Sequence, residues 1–209
     1  MTVQSLHRHW LITAFEPFAG RKQNNSMLVL EEIKTLWAEL VTQNGFNLVF
    51  HTSVLPVEYK NCFPALDRKV SELLNSGIKL EGILALGEGA EDFKLETQAY
   101  NIDDVPELSD NAGEIRNGKR IFSDFPENKI FPLRFPVEAF SRIRTSTHAG
   151  FFICNHLCAE MSMNYGKDQK IPYFGFIHVP KVGSGGMFTS DVCAAVIMNG
   201  FKALSSGSK

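Results

Sequence analysis

The sequence predicts an α/β domain, and three observations carry that prediction. Short apolar runs alternate along the chain with longer stretches whose apolar residues recur every three or four positions, the pattern of strands feeding helices. One run, Leu80 to Leu86, is almost continuously apolar, as a central strand covered on both faces must be. A length of 209 residues with 44% hydrophobic content suffices to bury one sizeable core. No repeat or linker divides the pattern, so residues 1–209 read as a single domain with a loose Ser-rich tail from about Ser205.

Taken in order, Trp10 to Phe15 reads as a strand, and a helix follows through Leu28, Leu30, Ile33 and Trp37 with Ser26 as its N-cap. Leu48 to Leu55 is a second strand. Tyr59 to Leu74 is a second helix, buried through Phe63, Leu66, Val70 and Leu73. Leu80 to Leu86 is the central strand, and Leu95 to Ile102 continues beyond it. Asp103 to Arg134 is rich in Asp, Asn, Gly and Pro and reads as irregular. Val137 to Arg144 and Cys154 to Tyr165 read as helices, Tyr173 to Val179 as a strand, and Thr189 to Leu204 as a last helix.

Chemistry concentrates at three points of this pattern. Cys154 follows a glycine turn and an apolar run in Gly150-Phe151-Phe152-Ile153-Cys154-Asn155-His156, so the thiol falls at a helix start. Unpaired N–H groups and the positive end of the helix dipole favour thiolate there. His178 ends an apolar strand in Phe174-Gly175-Phe176-Ile177-His178-Val179-Pro180. Glu96, in Leu95-Glu96-Thr97-Gln98-Ala99-Tyr100-Asn101, is a carboxylate at the edge of an otherwise uncharged stretch. A thiol, an imidazole and a carboxylate can form a nucleophile, its base and the group that orients the base. Taken singly, a cysteine is more often a small buried hydrophobe and a strand-end histidine an ordinary core or capping residue.

These segments, with Thr13-Ala14-Phe15-Glu16-Pro17-Phe18-Ala19-Gly20 near the start, resemble the pyrrolidone-carboxylate peptidase family, also called pyroglutamyl peptidase I, from about residue 10 to about residue 200. The family carries a Thr-Gly-Phe-x-Pro-Phe-Gly-Gly opening, a segment holding a catalytic glutamate, a Ser-x-x-Ala-Gly-x-Phe/Tyr-x-Cys-Asn-His segment and a Gly-Phe-Ile-His-Val-Pro segment. Here the last two read Ser146 to His156 and Gly175 to Pro180. The resemblance implies a three-layer α/β/α sandwich around a mixed, mostly parallel sheet, similar to purine nucleoside phosphorylases. It further implies a cysteine exopeptidase that removes N-terminal pyroglutamyl residues, with Cys154 as nucleophile, His178 as base and Glu96 as the group orienting His178. A small, flat, uncharged lactam calls for an apolar pocket. Phe15 and Phe18 match the family phenylalanines that sandwich the ring, Phe152 is a further wall, and Asn24 matches a polar turn residue near the pocket.

The chain also departs from the family pattern. Ala14 and Ala19 stand where glycine is usual, Asn25 where proline is usual, and Thr97 where a basic residue follows the glutamate. The loop Gly87-Glu88-Gly89-Ala90-Glu91-Asp92-Phe93 lacks the family arginine and carries three acids instead. If they approach the thiol, Glu88, Glu91 and Asp92 make a negative mouth; otherwise the loop is a solvated turn. Two other functional readings follow: the same chemistry on a different lactam, amide or cationic peptide, and a catalytically retired homologue that binds a peptide or small molecule.

Composition excludes other classes. A net charge of −2 gives no case for nucleic acid or an acidic membrane surface. No run reaches the roughly 18 apolar residues of a membrane span, and Met1 to Trp10 has no secretory core, so a cytoplasmic location is expected. Cys62, Cys154, Cys158 and Cys193 are scattered, as reduced thiols would be. Cys154, His156 and Cys158 lack metal-binding spacing, and neither metal nor cofactor is expected. The expected partners are peptides with N-terminal pyroglutamate, with homo-oligomers of a kind common in such families. Gly183-Ser184-Gly185-Gly186 reads as a flexible loop after His178.

Overall fold

A computed structural model describes residues 7–42, 46–89, 93–167, 171–181 and 188–206. Its ten strands are β1 (Arg8–Phe15), β2 (Leu48–Leu55), β3 (Leu80–Glu88), β4 (Lys94–Glu96), β5 (Gln98–Tyr100), β6 (Asp103–Val105), β7 (Arg116–Lys119), β8 (Ile130–Pro132), β9 (Arg144–Ser146) and β10 (Tyr173–Val179). The α-helices are α1 (Asn25–Leu40), α2 (Cys62–Asn75), α3 (Ile153–Tyr165) and α4 (Ser190–Ser206). Six strands form one sheet in the order β2-β1-β3-β10-β4-β9, parallel from β2 to β10, with β4 antiparallel to β10 and parallel to β9. Two small antiparallel pairs, β5 with β8 and β6 with β7, stand apart.

Alternation along β1 builds two cores. Trp10, Ile12 and Ala14 point to one face, where they pack with Val29, Leu30 and Ile33 of α1 and Ile197 and Phe201 of α4. Leu11 and Phe15 point to the other, onto Leu66 and Val70 of α2 and Leu157 and Met161 of α3. The result is the expected three-layer sandwich around a mixed, mostly parallel sheet. β3 lies inside the sheet, with Ile83 to Leu86 fully buried, which is why its sequence shows no alternation.

Several expectations need correction. The N-cap of α1 is Asn24, not Ser26: its side-chain oxygen accepts the Ser26 N–H at 3.0 Å. Ser26, inside the helix, donates its hydroxyl to that oxygen at 2.8 Å and accepts the Phe15 N–H at 3.0 Å. α2 starts at Cys62, because the preceding residues form a turn in which Tyr59 gives its N–H to Asp110 at 2.9 Å. Val137 to Arg144 is only a 3₁₀ turn, Val137–Phe140, after which the chain turns to pair β9 with β4. Leu95 to Ile102 divides between two sheets. α4 continues through Ser205, whose hydroxyl donates to Asn47 at 2.9 Å. Gly183 to Gly186 lie outside the described residues, and among those described no helix is long and apolar enough to cross a membrane.

Candidate active site

The carboxyl ends of parallel strands are where open α/β sheets place their ligands, and there the three chemical residues converge. β10 pairs with β4 so that Phe176 stands opposite Glu96 and His178 opposite Lys94. Glu96 and His178 are therefore diagonal neighbours on one face of the sheet. Glu96 Oε1 lies 2.8 Å from His178 Nδ1, with both residues buried. Because Nδ1 is engaged by the carboxylate, Nε2 is left free to serve the Cys154 thiol, which lines the same cavity as His178.

Cys154 reaches this point from the other layer. Gly150 turns the chain at φ +77°, in the left-handed region that glycine tolerates, and Phe152 enters α3 in extended conformation. The first intrahelical bond runs from His156 N to Phe152 O at 3.1 Å. The N–H groups of Ile153, Cys154 and Asn155 precede it, where a helix has no internal acceptor, so they can face a developing oxyanion. Asn155 moors this end by donating to the Tyr100 and Ile102 carbonyls and accepting the Tyr100 N–H. The sulfur lies close over β3: a Cβ on Gly87 would sit 3.0 Å from Cys154 Sγ and 2.4 Å from Phe176 Cζ. Gly87 is thus a site residue that in the sequence only opens the acidic loop after the central strand.

Burial and charge set the buried thiols and the imidazole. Burial pushes the thiols of Cys62 and Cys158 well up and that of Cys193 up to about 12, while Cys154 is partly exposed. Burial by itself lowers His178, but the neighbouring Cys154, and then the hydrogen bond and charge of Glu96, outweigh it and push His178 up to about 9. Burial acts to raise Glu96, and the hydrogen bond from His178, with the nearby Ser146 hydroxyl and the His178 charge behind it, more than offsets it, holding the carboxyl below its usual range. At neutral pH the arrangement therefore favours an imidazolium at His178 backed by the Glu96 carboxylate. His156, two residues past the thiol, is engaged elsewhere: its Nδ1 lies 2.8 Å from Asp103, which also binds Arg116 at 2.6 Å.

A cavity of about 210 Å³ opens onto this group, lined by Phe15, Phe18, Asn24, Phe152, Cys154 and His178 among others. It is smaller than the roughly 300–1,000 Å³ of drug-sized sites and suits a single small ring. All four residues that the sequence assigned to substrate contact thus line one cavity. The facing rings are Phe18 and Phe152, 6.0 Å apart, whereas Phe15 packs on Phe176 at 6.4 Å. Asn24 contributes little free polarity, since its amide also donates to Glu16 O at 3.0 Å while its oxygen caps α1. Val57, Ala149 and Ile153 complete the apolar lining, each too ordinary in the sequence to signal a role. A larger hollow of about 1,020 Å³ lies at the opposite ends of β1 and β3, around Arg8 and Leu80, and holds none of this chemistry.

Glu88 does not act as a free negative charge at the mouth. Its side chain is only 2% exposed, is paired with Arg21, and accepts the Asn25 N–H at 2.6 Å. Proline at position 25 would have no such N–H to give. Glu91 and Asp92 lie outside the described residues.

Comparison with known proteins adds a lineage to this geometry. A model of the pyroglutamyl peptidase family matches residues 8–198. The pyrrolidone-carboxylate peptidase of Thermosipho melanesiensis is 31% identical over 179 residues, spanning 81% of this chain and 81% of the relative. That of Fusobacterium nucleatum is 29% identical over 180 residues, spanning 81% and 77%. Among solved structures, pyroglutamyl peptidase I from Bacillus amyloliquefaciens superposes with a TM-score of 0.78 at 19% identity over 96% of each chain. The pyrrolidone carboxyl peptidase from Thermococcus litoralis gives 0.75 at 23% identity over 94% of this chain and 92% of the other. At those identities the structures establish the fold, and the match over residues 8–198 establishes the lineage: the chain belongs to the pyroglutamyl peptidase family.

Proposed function

We propose that this protein is a cysteine exopeptidase that removes an N-terminal pyroglutamyl residue from peptides. The observation that carries the reading is the convergence of Cys154, His178 and Glu96 on an apolar cavity sized for one small ring. In the proposed reaction the lactam lies in the cavity against Phe18 and Phe152, with its exocyclic carbonyl at Cys154. The Cys154 thiolate forms a C–S bond to that carbonyl carbon, and N–H groups at the start of α3 hold the oxyanion. His178 gives its Nε2 proton to the leaving amine as the C–N bond breaks, leaving a thioester. Water then attacks the thioester carbonyl while His178 takes a proton from it. The free acid departs and Cys154 is restored. Glu96 stays ionised throughout, holding the imidazole in one tautomer and stabilising its charged form.

Profiling against fluorogenic pyroglutamyl, prolyl, glutaminyl and lysyl amides tests the substrate assignment. The pairing of Glu88 with Arg21 takes away one of the three acids on which a preference for cationic residues would rest, and the apolar cavity favours an uncharged ring, so only the pyroglutamyl amide should be turned over efficiently. Faster cleavage of a lysyl or prolyl amide would refute it.

A further inference from the structure

Beside the pocket the ends of three elements meet: the connection from β1 to α1, the last residue of β3, and the segment leaving β10. Glu88 brings its carboxylate into this junction. One oxygen accepts the N–H of Asn25, the first residue of α1, at 2.6 Å, and the other is bonded by Arg21. The Asn25 side-chain amide donates to Pro180 O at 2.6 Å, two residues beyond His178. Arg21 also lies over Phe18, its guanidinium carbon 4.5 Å from the ring centre, and Phe18 in turn faces Phe152. These contacts run unbroken from the strand end that carries His178 to one wall of the cavity.

Phe18 rests on the core with one edge and on Phe152, so the cover on its outer side comes from Arg21. The two residues after it, Ala19 and Gly20, are exposed and sit at φ +53° and +70°, and the turn is closed by a single bond from Arg21 N to Phe18 O at 3.1 Å. An arginine suits the junction because a planar guanidinium can bond a carboxylate at its edge while its face covers an aromatic ring.

We propose that Arg21 is a positioning residue for the acyl pocket: held by Glu88, it fixes the Phe18 wall and so sets affinity for the ring bound there without entering the chemistry. The inference rests on the pyroglutamyl reading of the same site. An exposed ion pair would contribute little, but here one partner is buried, so removing Arg21 alone leaves an uncompensated charge and weakens the fold for a trivial reason. The decisive variant is therefore the double change Arg21→Met with Glu88→Gln, which removes both charges and keeps side-chain volume and an acceptor for the Asn25 N–H.

The test measures kcat and KM on a pyroglutamyl-fluorophore amide, Tm, and protection of Cys154 from iodoacetamide by 2-pyrrolidone, for the wild type, Arg21→Met and the double variant. Arg21→Met should lower Tm and raise KM about tenfold with kcat within about threefold. The double variant should regain the Tm but keep the raised KM, and its half-protecting concentration of 2-pyrrolidone should rise by the same factor. A double variant whose KM and protection return to wild-type values along with Tm would show the pair to be structural only and overturn the proposal. So would a loss confined to kcat. An inactive wild type would instead sink the pyroglutamyl reading, and this inference with it.

Discussion

Replacing Glu96 by glutamine probes the electrostatic core of the site with almost no change of volume. Glu96 Oε1 lies 2.8 Å from His178 Nδ1 in a buried setting, so the lost charge is poorly screened by solvent. The difference between about 9 and the ordinary 6.5 of His178 corresponds to about 3 kcal/mol in favour of the imidazolium, shared between Cys154 and Glu96. A neighbouring opposite charge typically accounts for about one to three pH units of such a rise. In the wild type the imidazolium is present at neutral pH and is lost as pH rises through about 9, taking with it the proton for the leaving amine. kcat/KM should therefore fall on the alkaline side near pH 9, and in Glu96→Gln this limb should move down by about one to two units. Stability follows the same sign. The raised imidazolium contributes fully below about 6.5 and its contribution is lost as pH rises through about 9, so Tm should decline across that window, more steeply in the wild type than in the variant. The assay is kcat/KM from pH 6 to pH 10 beside thermal melts in the same buffers. An alkaline limb that stays in place, or moves up, in Glu96→Gln would refute the assignment of Glu96 as the carboxylate that sustains the imidazolium.

Two further predictions come from backbone geometry. Gly87→Ala should cost about 1–3 kcal/mol of stability by overpacking Phe176, and should depress kcat more than it raises KM because the new methyl also displaces Cys154 Sγ; melts and steady-state kinetics check both. Ala19→Gly should raise stability by about 1 kcal/mol, or about 2–4 °C in Tm, because Ala19 sits at φ +53° in exposed backbone that glycine adopts without strain; a melt showing no change or a loss would contradict this.

Much of the fold was legible because hydrophobic periodicity is local. β2 and β10 have the boundaries that their apolar runs imply, Leu48–Leu55 and Tyr173–Val179, and the interior place of β3 follows from its unbroken burial. What sequence periodicity missed depends on partners far along the chain. The choice of Asn24 over Ser26 as cap is made by the Phe15 N–H, which occupies the Ser26 hydroxyl. β9 exists only because β4 offers it an edge, and no local pattern in Arg144–Ser146 announces that. The cysteine, histidine and glutamate were visible as residue types in characteristic surroundings. The role of Glu88 was not, since its neutralising partner Arg21 lies 67 residues away. Its acidity therefore read as a property of a loop when it belongs to a junction.

Whether Cys154 is the nucleophile of a pyroglutamyl peptidase is decided by cleavage of a pyroglutamyl-fluorophore amide in reducing buffer by the wild type, Cys154→Ala and Cys158→Ala. The wild type should turn the amide over, folded Cys154→Ala should show nothing above background, and Cys158→Ala, whose thiol is buried and held protonated one helical turn away, should keep near-wild-type kcat. Wild-type turnover that survives in Cys154→Ala, or that disappears equally in both variants while both remain folded, would contradict that assignment.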